Sequence, residues 1–221
     1  MVPDQTSSTL RRLTTPHAAA LAGVVFAVLN ATSILLIAVL PRDPVSATEW
    51  VRQGDAQIRV ALVLTPFAGI AFLWFLGVIR DRLGALEDRF FATVFYGSGL
   101  LMLAMYFVSM AIAGGLVASV SPGAPAYSED VIHFGRSVMF ETINMFVLRM
   151  AGTFMISLGT MWLRTGLMPR WLAAVTYLGA GLLLVVVSHN LFVFLVFPGW
   201  VLLVSVVYLQ RARRGIVAGS T

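Results

Sequence analysis

The sequence predicts an all-α protein, a polytopic bundle of six transmembrane helices with both termini on the cytoplasmic side. Three observations predict it: 59% of the 221 residues are hydrophobic and 11% are charged, six stretches are long and apolar enough to cross a bilayer, and the arginines between those stretches gather on one side. A soluble domain runs at about 45–50% apolar and about 25% charged. A small fold has too much surface for its volume to hide so large an apolar surplus. Lipid therefore covers part of the chain.

A hydrocarbon core about 30 Å thick is crossed by about 20 apolar residues in a helix. The stretches that qualify are 18–40, 58–79, 91–119, 137–163, 171–188 and 191–209. The third is long enough to tilt or project. Only Ser188, His189 and Asn190 separate the last two, so they form a tight helical hairpin; read as one helix they would overshoot a bilayer about twofold. The six-helix domain is 18–210, between a cytoplasmic tail at 1–17 and a basic cytoplasmic tail at 211–221. The first apolar run exceeds the usual hydrophobic region of a signal peptide, so it reads as an uncleaved span.

All 15 basic residues are arginine. Arg11, Arg12, Arg80, Arg82, Arg89, Arg164, Arg170, Arg211, Arg213 and Arg214 fall on one side of the predicted membrane. Arg42, Arg52, Arg59 and Arg136 fall on the other, mixed with Asp43, Glu49, Asp55, Glu129 and Asp130. Positive residues mark the cytoplasmic side, and they suit anionic headgroups. The net charge of +5 is thus a topology signal, and no nucleic-acid partner follows from it. The absence of lysine excludes Schiff-base chemistry and a P-loop. The absence of cysteine excludes disulfides, thiolate metal sites and cysteine nucleophiles. Trp50, Trp74, Trp162 and Trp171 fall near span ends, where indoles anchor at the interface; Trp200 falls mid-span as a packing residue. Small residues such as Gly97, Gly115, Gly152, Gly159 and Gly181 allow close helix approach.

The fourth span carries the intramembrane polar residues Glu141, Asn144, Arg149 and Thr153. Arg149 sits mid-span, where a lone charge costs at least about 2.5–3.5 kcal/mol. It must face the interior and find partners. On a regular helix Thr142, Arg149, Thr153 and Thr160 fall within about 40° of one another, whereas Glu141 lies about 12 Å away along the axis. Arg149 is therefore expected to pair across helices, with Asn30, Thr32, Ser33, Ser98, Ser109 or the Thr65-Pro66 break, or with Glu141 through water. A second polar cluster, Glu129, Asp130, His133, Arg136 and His189, is expected at the opposite membrane face. Its carboxylates three and four residues before an imidazole suit a proton or a divalent cation, and equally a solvated helix start with acids at the favourable dipole end. No metal or cofactor is predicted. No Gly-x-Ser-x-Gly elbow and no nucleotide fingerprint occurs.

The segment from Leu148 to Gly152, the turn Arg164-Thr165-Gly166-Leu167-Met168-Pro169-Arg170-Trp171-Leu172, and the run Phe197-Pro198-Gly199-Trp200 resemble a family of uncharacterised six-span membrane proteins common in high-GC Gram-positive bacteria. The resemblance implies a multi-pass protein of a bacterial plasma (inner) membrane and brings no activity. Three functions are then open. One is a small transporter with its polar site around Arg149. Another is an accessory or scaffold subunit bound to a membrane-protein partner or to a second copy. Least favoured is an intramembrane enzyme acting on lipid, because no base–nucleophile pair is visible.

Overall fold

The computed structural model describes residues 6–41, 46–83, 89–123, 127–186 and 191–218, and among them all regular structure is helical. The helices are α1 (Thr6–Ala38), α2 (Ala47–Gln53), α3 (Asp55–Leu83), α4 (Arg89–Ser119), α5 (Glu129–Glu141), a π segment (Thr142–Val147), α6 (Leu148–Thr165), α7 (Arg170–Val185) and α8 (Leu191–Ala218). Five stretches are long and apolar enough to cross a membrane: Ala20–Ala38, Asp55–Arg80, Phe90–Ser119, Glu129–Thr165 and Val193–Arg211. The chain is thus a multi-pass helical membrane protein. The apolar α7 is shorter, at 16 residues.

Neighbours in the bundle follow chain order. α1 packs on α3, α3 on α4, α4 on α6, α6 on α7, α7 on α8, and α8 returns to α1. The centre is filled by rings. Phe154 of α6 stacks on Phe95 of α4 at 4.7 Å and meets Phe72 of α3 at 5.7 Å. Phe197 and Trp200 of α8 stack at 5.8 Å, and Phe197 reaches Phe154 at 5.9 Å. Phe26 of α1 lies 5.0 Å from Phe72. Such pairs add about 0.5–1.5 kcal/mol each beyond their buried area. They matter here because lipid tails are as apolar as the core, so packing must supply what water would otherwise drive.

Tryptophan divides into two kinds. Trp74 and Trp171 are exposed, as anchors should be, but Trp50 and Trp162 are wholly buried. The reason for Trp50 is α2, which lies in a stretch read from sequence as loop. Trp50 enters a second core with Leu40, Val51, Ile58, Val117, Ile132 and Met139. The signal was legible: Ser46-Ala47-Thr48-Glu49 begins with the Ser-x-x-Glu pattern of a helix N-cap, and Ser46 Oγ accepts from the Glu49 N–H at 3.0 Å.

The two ends of the bundle are held differently. At one end the Arg80 guanidinium lies 5.0 Å over the Tyr96 ring, and Arg164 lies 4.6 Å over Phe91. Arg211 Nη1 donates to the Leu167 carbonyl at 2.6 Å. The end of α3, the start of α4, the α6–α7 turn and the end of α8 therefore meet. At the other end Arg59 binds Asp55 at 2.9 Å and donates to Ser121 Oγ at 3.0 Å, tying α3 to the end of α4.

Glycine matters where helices touch. A Cβ on Gly152 would stand 2.8 Å from Leu184 and 3.2 Å from the Ala180 carbonyl oxygen, and one on Gly159 3.2 Å from Thr176. These two let α6 and α7 close on each other. Gly97, Gly115 and Gly181 meet nothing within 4 Å and do no such work. The tightest site is Gly23 on α1, whose Cβ would sit 2.0 Å from Ser205 Oγ and 2.8 Å from Phe75. Gly23→Ala should destabilise the protein by about 1–3 kcal/mol, read as a lowered thermal midpoint in detergent. Adding Ser205→Ala should restore part of the loss, because it removes the oxygen that a new methyl would strike. An unchanged midpoint in Gly23→Ala would show that α1 does not pack this closely.

Candidate functional site

The sequence-predicted intramembrane residues lie on one continuous helix of 37 residues, Glu129–Thr165. At about 1.5 Å per residue it is about 56 Å long, far more than a bilayer needs. Counted back from Arg164, a crossing of about 20 residues ends near position 144. A helix of that length cannot lie wholly within the hydrocarbon, and the ionisable residues Glu129, Asp130 and His133 gather at its start.

The π segment changes the face that each residue presents. Its wider turns, with the Leu148 N–H reaching back to the Ile143 carbonyl, rotate everything after it relative to a regular helix. Thr142 and Arg149 thus do not share the face that a 3.6-residue period assigns them. Thr142 is buried and donates to the Val138 carbonyl at 2.7 Å. Arg149 is half-buried.

The expectation of a cross-helix partner for Arg149 gives way to a bond within its own helix. Arg149 Nη1 donates to the Asn144 carbonyl. Helical side chains lean toward the N-terminus, so the guanidinium reaches back along its own backbone. Thr153 Oγ1 in turn donates to the Arg149 carbonyl at 2.9 Å, and Ser157 Oγ to the Thr153 carbonyl at 2.9 Å. Asn144, Arg149 and Thr153 form one ladder. Glu141 is exposed. Ser98 is likewise turned to its own helix, donating to the Val94 carbonyl at 2.6 Å, while Ser109 crosses to the Met139 carbonyl at 3.0 Å.

The second predicted cluster proves to be structural in part. The Glu129 carboxylate accepts from the backbone N–H groups of Ala47 and Thr48 and from the Thr48 hydroxyl. One end of α5 therefore caps the start of α2. Arg136 lies 4.9 Å over the Trp50 ring and 5.5 Å from the Phe140 ring, a second contact from α5 to α2. Asp130 and His133 are exposed. Among the described residues no three of His, Asp or Glu gather as metal ligands. His189 lies outside the described residues.

Asn30, Ser33 and Thr65, expected as partners of Arg149, instead gather around Tyr106, which sequence reasoning missed. Asn30 and Ser33 of α1, Thr65 of α3 and Tyr106 of α4 are all buried, and the Tyr106 hydroxyl faces the other three. Each residue alone looks like ordinary span composition; only the order of helices in the bundle makes them neighbours. No protein-family model, no curated protein and no solved structure matches the chain, so its function is read from its own residues.

The hydrogen bonds from the Thr48 hydroxyl and from the backbone N–H groups of Ala47 and Thr48 lower the Glu129 pKa from its usual 4.5, with the charge of His133 adding to them. A depressed carboxylate contributes stability above its unfolded value and loses it as pH falls through the folded value. The hold on α2 should therefore be full at neutral pH and weaken only below about 4.5. Glu129→Gln should speed amide exchange over residues 47–53 at pH 7 and remove the acid dependence of that exchange. Identical exchange in both proteins would show that Trp50 burial alone holds α2.

Proposed function

We propose that the chain is a six-span protein of a bacterial plasma membrane, with both termini in the cytoplasm, acting as an accessory or scaffold subunit of a membrane complex. The observation that carries this is the filled centre. Phe72, Phe154, Phe197 and Trp200 close the middle of the bundle, and a cavity of about 50 Å³ beside Phe197, among the described residues, is not lined by Arg149. A transporter built around Arg149 needs a water path to that residue. Instead its guanidinium is engaged by its own backbone. An enzyme acting on lipid gains no support either, since the Glu129 carboxylate is occupied by α2.

The sixth crossing is supported by the ends of the helices. The end of α8 touches the α6–α7 turn through Arg211 and Leu167, so α7 leaves that end and α8 returns to it. At 16 residues, α7 is about 24 Å long, and its flanking residues complete the crossing. The arginines gathered at the α6–α7 end support a cytoplasmic assignment for it.

The absence of cysteine makes a direct test clean. Single cysteines at Ser137 and Arg170, both exposed, should react with a membrane-impermeant maleimide from opposite sides. A cysteine at Ala151, which is 1% exposed, should react from neither. Reaction at position 151 would point back to a solute path, and same-side reaction at 137 and 170 would overturn the six-span topology. In native gels of mildly solubilised membranes the tagged chain should travel in an assembly well above its own 24.0 kDa; migration as a lone chain would remove the accessory role.

A further inference from the structure

We propose that the cavity between α1, α4, α6 and α8 holds the methyl end of a single unbranched lipid chain. This site stands independently of the accessory role. Its walls are Phe26 from α1, Met102 from α4, Leu148 and Ala151 from α6, and Phe197 and Pro198 from α8, all of them buried. The surface they present is almost wholly apolar. Asn30 and Tyr106 border it too, but the Tyr106 hydroxyl faces Asn30, Ser33 and Thr65. These polar groups turn to one another and leave the cavity to carbon.

Polarity and size select the occupant. No acid, arginine or histidine lines the cavity, so a charged group would be buried without compensation. A buried water is kept where it finds about two to four polar partners, and this surface offers almost none. The volume is about 50 Å³, whereas a cavity of roughly 150 Å³ is what admits benzene. A ring is therefore too large. A run of methyl and methylene groups is narrow enough and asks for no hydrogen bond. Left empty, the lining atoms would lack partners on one side and lose dispersion contacts, which a chain end supplies.

The depth of the cavity fits the end of a chain and not its head. Asn30 lies at the middle of the Ala20–Ala38 span, and Met102, Leu103 and Tyr106 at the middle of Phe90–Ser119. The chains of both leaflets end at the middle of the hydrocarbon, while the headgroups lie about 15 Å away at its edges. A way in follows from the packing. α1 packs on α3 and α8, whereas the π segment packs on α4, α5 and α6. The cavity lies in the seam between these two groups of helices. Its half-buried lining residues, Ile34 on α1 and Ile143 and Val147 on the π segment, face each other across that seam, and the chain enters past them.

The test places the purified full chain in phosphatidylcholine nanodiscs with either of two photoreactive phosphatidylcholines. One carries a diazirine at the end of an acyl chain, the other beside the glycerol. On illumination the first should label Met102, Leu103 or Leu148, all buried. The second should label only exposed residues such as Phe146. Ala151→Val and Met102→Phe narrow the cavity. Each should lose the labelling of Leu103 and Leu148 by the first lipid, with labelling of the exposed Phe107 retained. Leu148→Ala widens the cavity and should raise the labelling of Leu103. Circular dichroism identifies any variant that has not folded, and the other two then carry the comparison. Labelling of Met102, Leu103 and Leu148 by neither lipid, or equally by both, overturns the site. So does labelling of Leu103 at the unaltered level in the folded variants.

Discussion

A polar group inside a bilayer has no water to turn to, and the spans of this protein answer that constraint in one repeated way: they give their hydroxyls back to their own backbone. Thr65 donates to the Ala61 carbonyl, Ser157 to Thr153, Thr176 to Leu172 and Ser205 to Val201, each four residues back. Satisfied locally, these residues ask nothing of neighbouring helices, and the surfaces that meet are left apolar and small. Arg149 follows the same logic on a larger scale. Its charge is accommodated by a carbonyl five residues back, at a place where the π turn has loosened the backbone. Few polar ties then cross between spans. Trp200 reaches Thr176 at 2.8 Å, Thr160 meets Tyr177 at 2.7 Å, and Ser109 reaches the Met139 carbonyl.

With polar groups settled within helices, association rests on shape. Rings from α1, α3, α4, α6 and α8 interlock at the centre, and glycines at Gly23, Gly152 and Gly159 let backbones approach where no side chain would fit. Dispersion falls off steeply with distance, so such an interface tolerates little displacement. The exception is the group of Asn30, Ser33, Thr65 and Tyr106, buried polar side chains that face one another across α1, α3 and α4.

At the α2–α5 end of the bundle the rules change. The α2 and α5 helices and the ends of α3 and α4 enclose their own core around Trp50, and charges do connecting work there. Glu129 caps a helix 81 and 82 residues away in sequence, Arg59 ties α3 to Ser121, and Arg136 lies on Trp50. Several of these residues had been grouped from sequence as a polar site. Glu129 and Arg136 hold a small helix in place, and Asp130 and His133 are exposed.

Helical class, membrane character and the positions of the long spans were legible in the sequence, because apolar length against bilayer thickness is a property of each segment alone. The predicted stretch 58–79 falls inside α3, and 91–119 matches α4 within two residues. The gathering of arginines at one end was legible for the same reason. Three things required the tertiary structure. The π segment cannot be read from a 3.6-residue pattern, and it turned the face on which Thr142 and Arg149 were placed together. The partner of Glu129 lies far away in sequence, so only the fold could show that a carboxylate suited to a metal was capping a helix. The neighbourhood of Asn30, Thr65 and Tyr106 depends on which helices touch. Hydropathy is blind to that, since every lipid-crossing helix satisfies the bilayer equally well before it finds its neighbours.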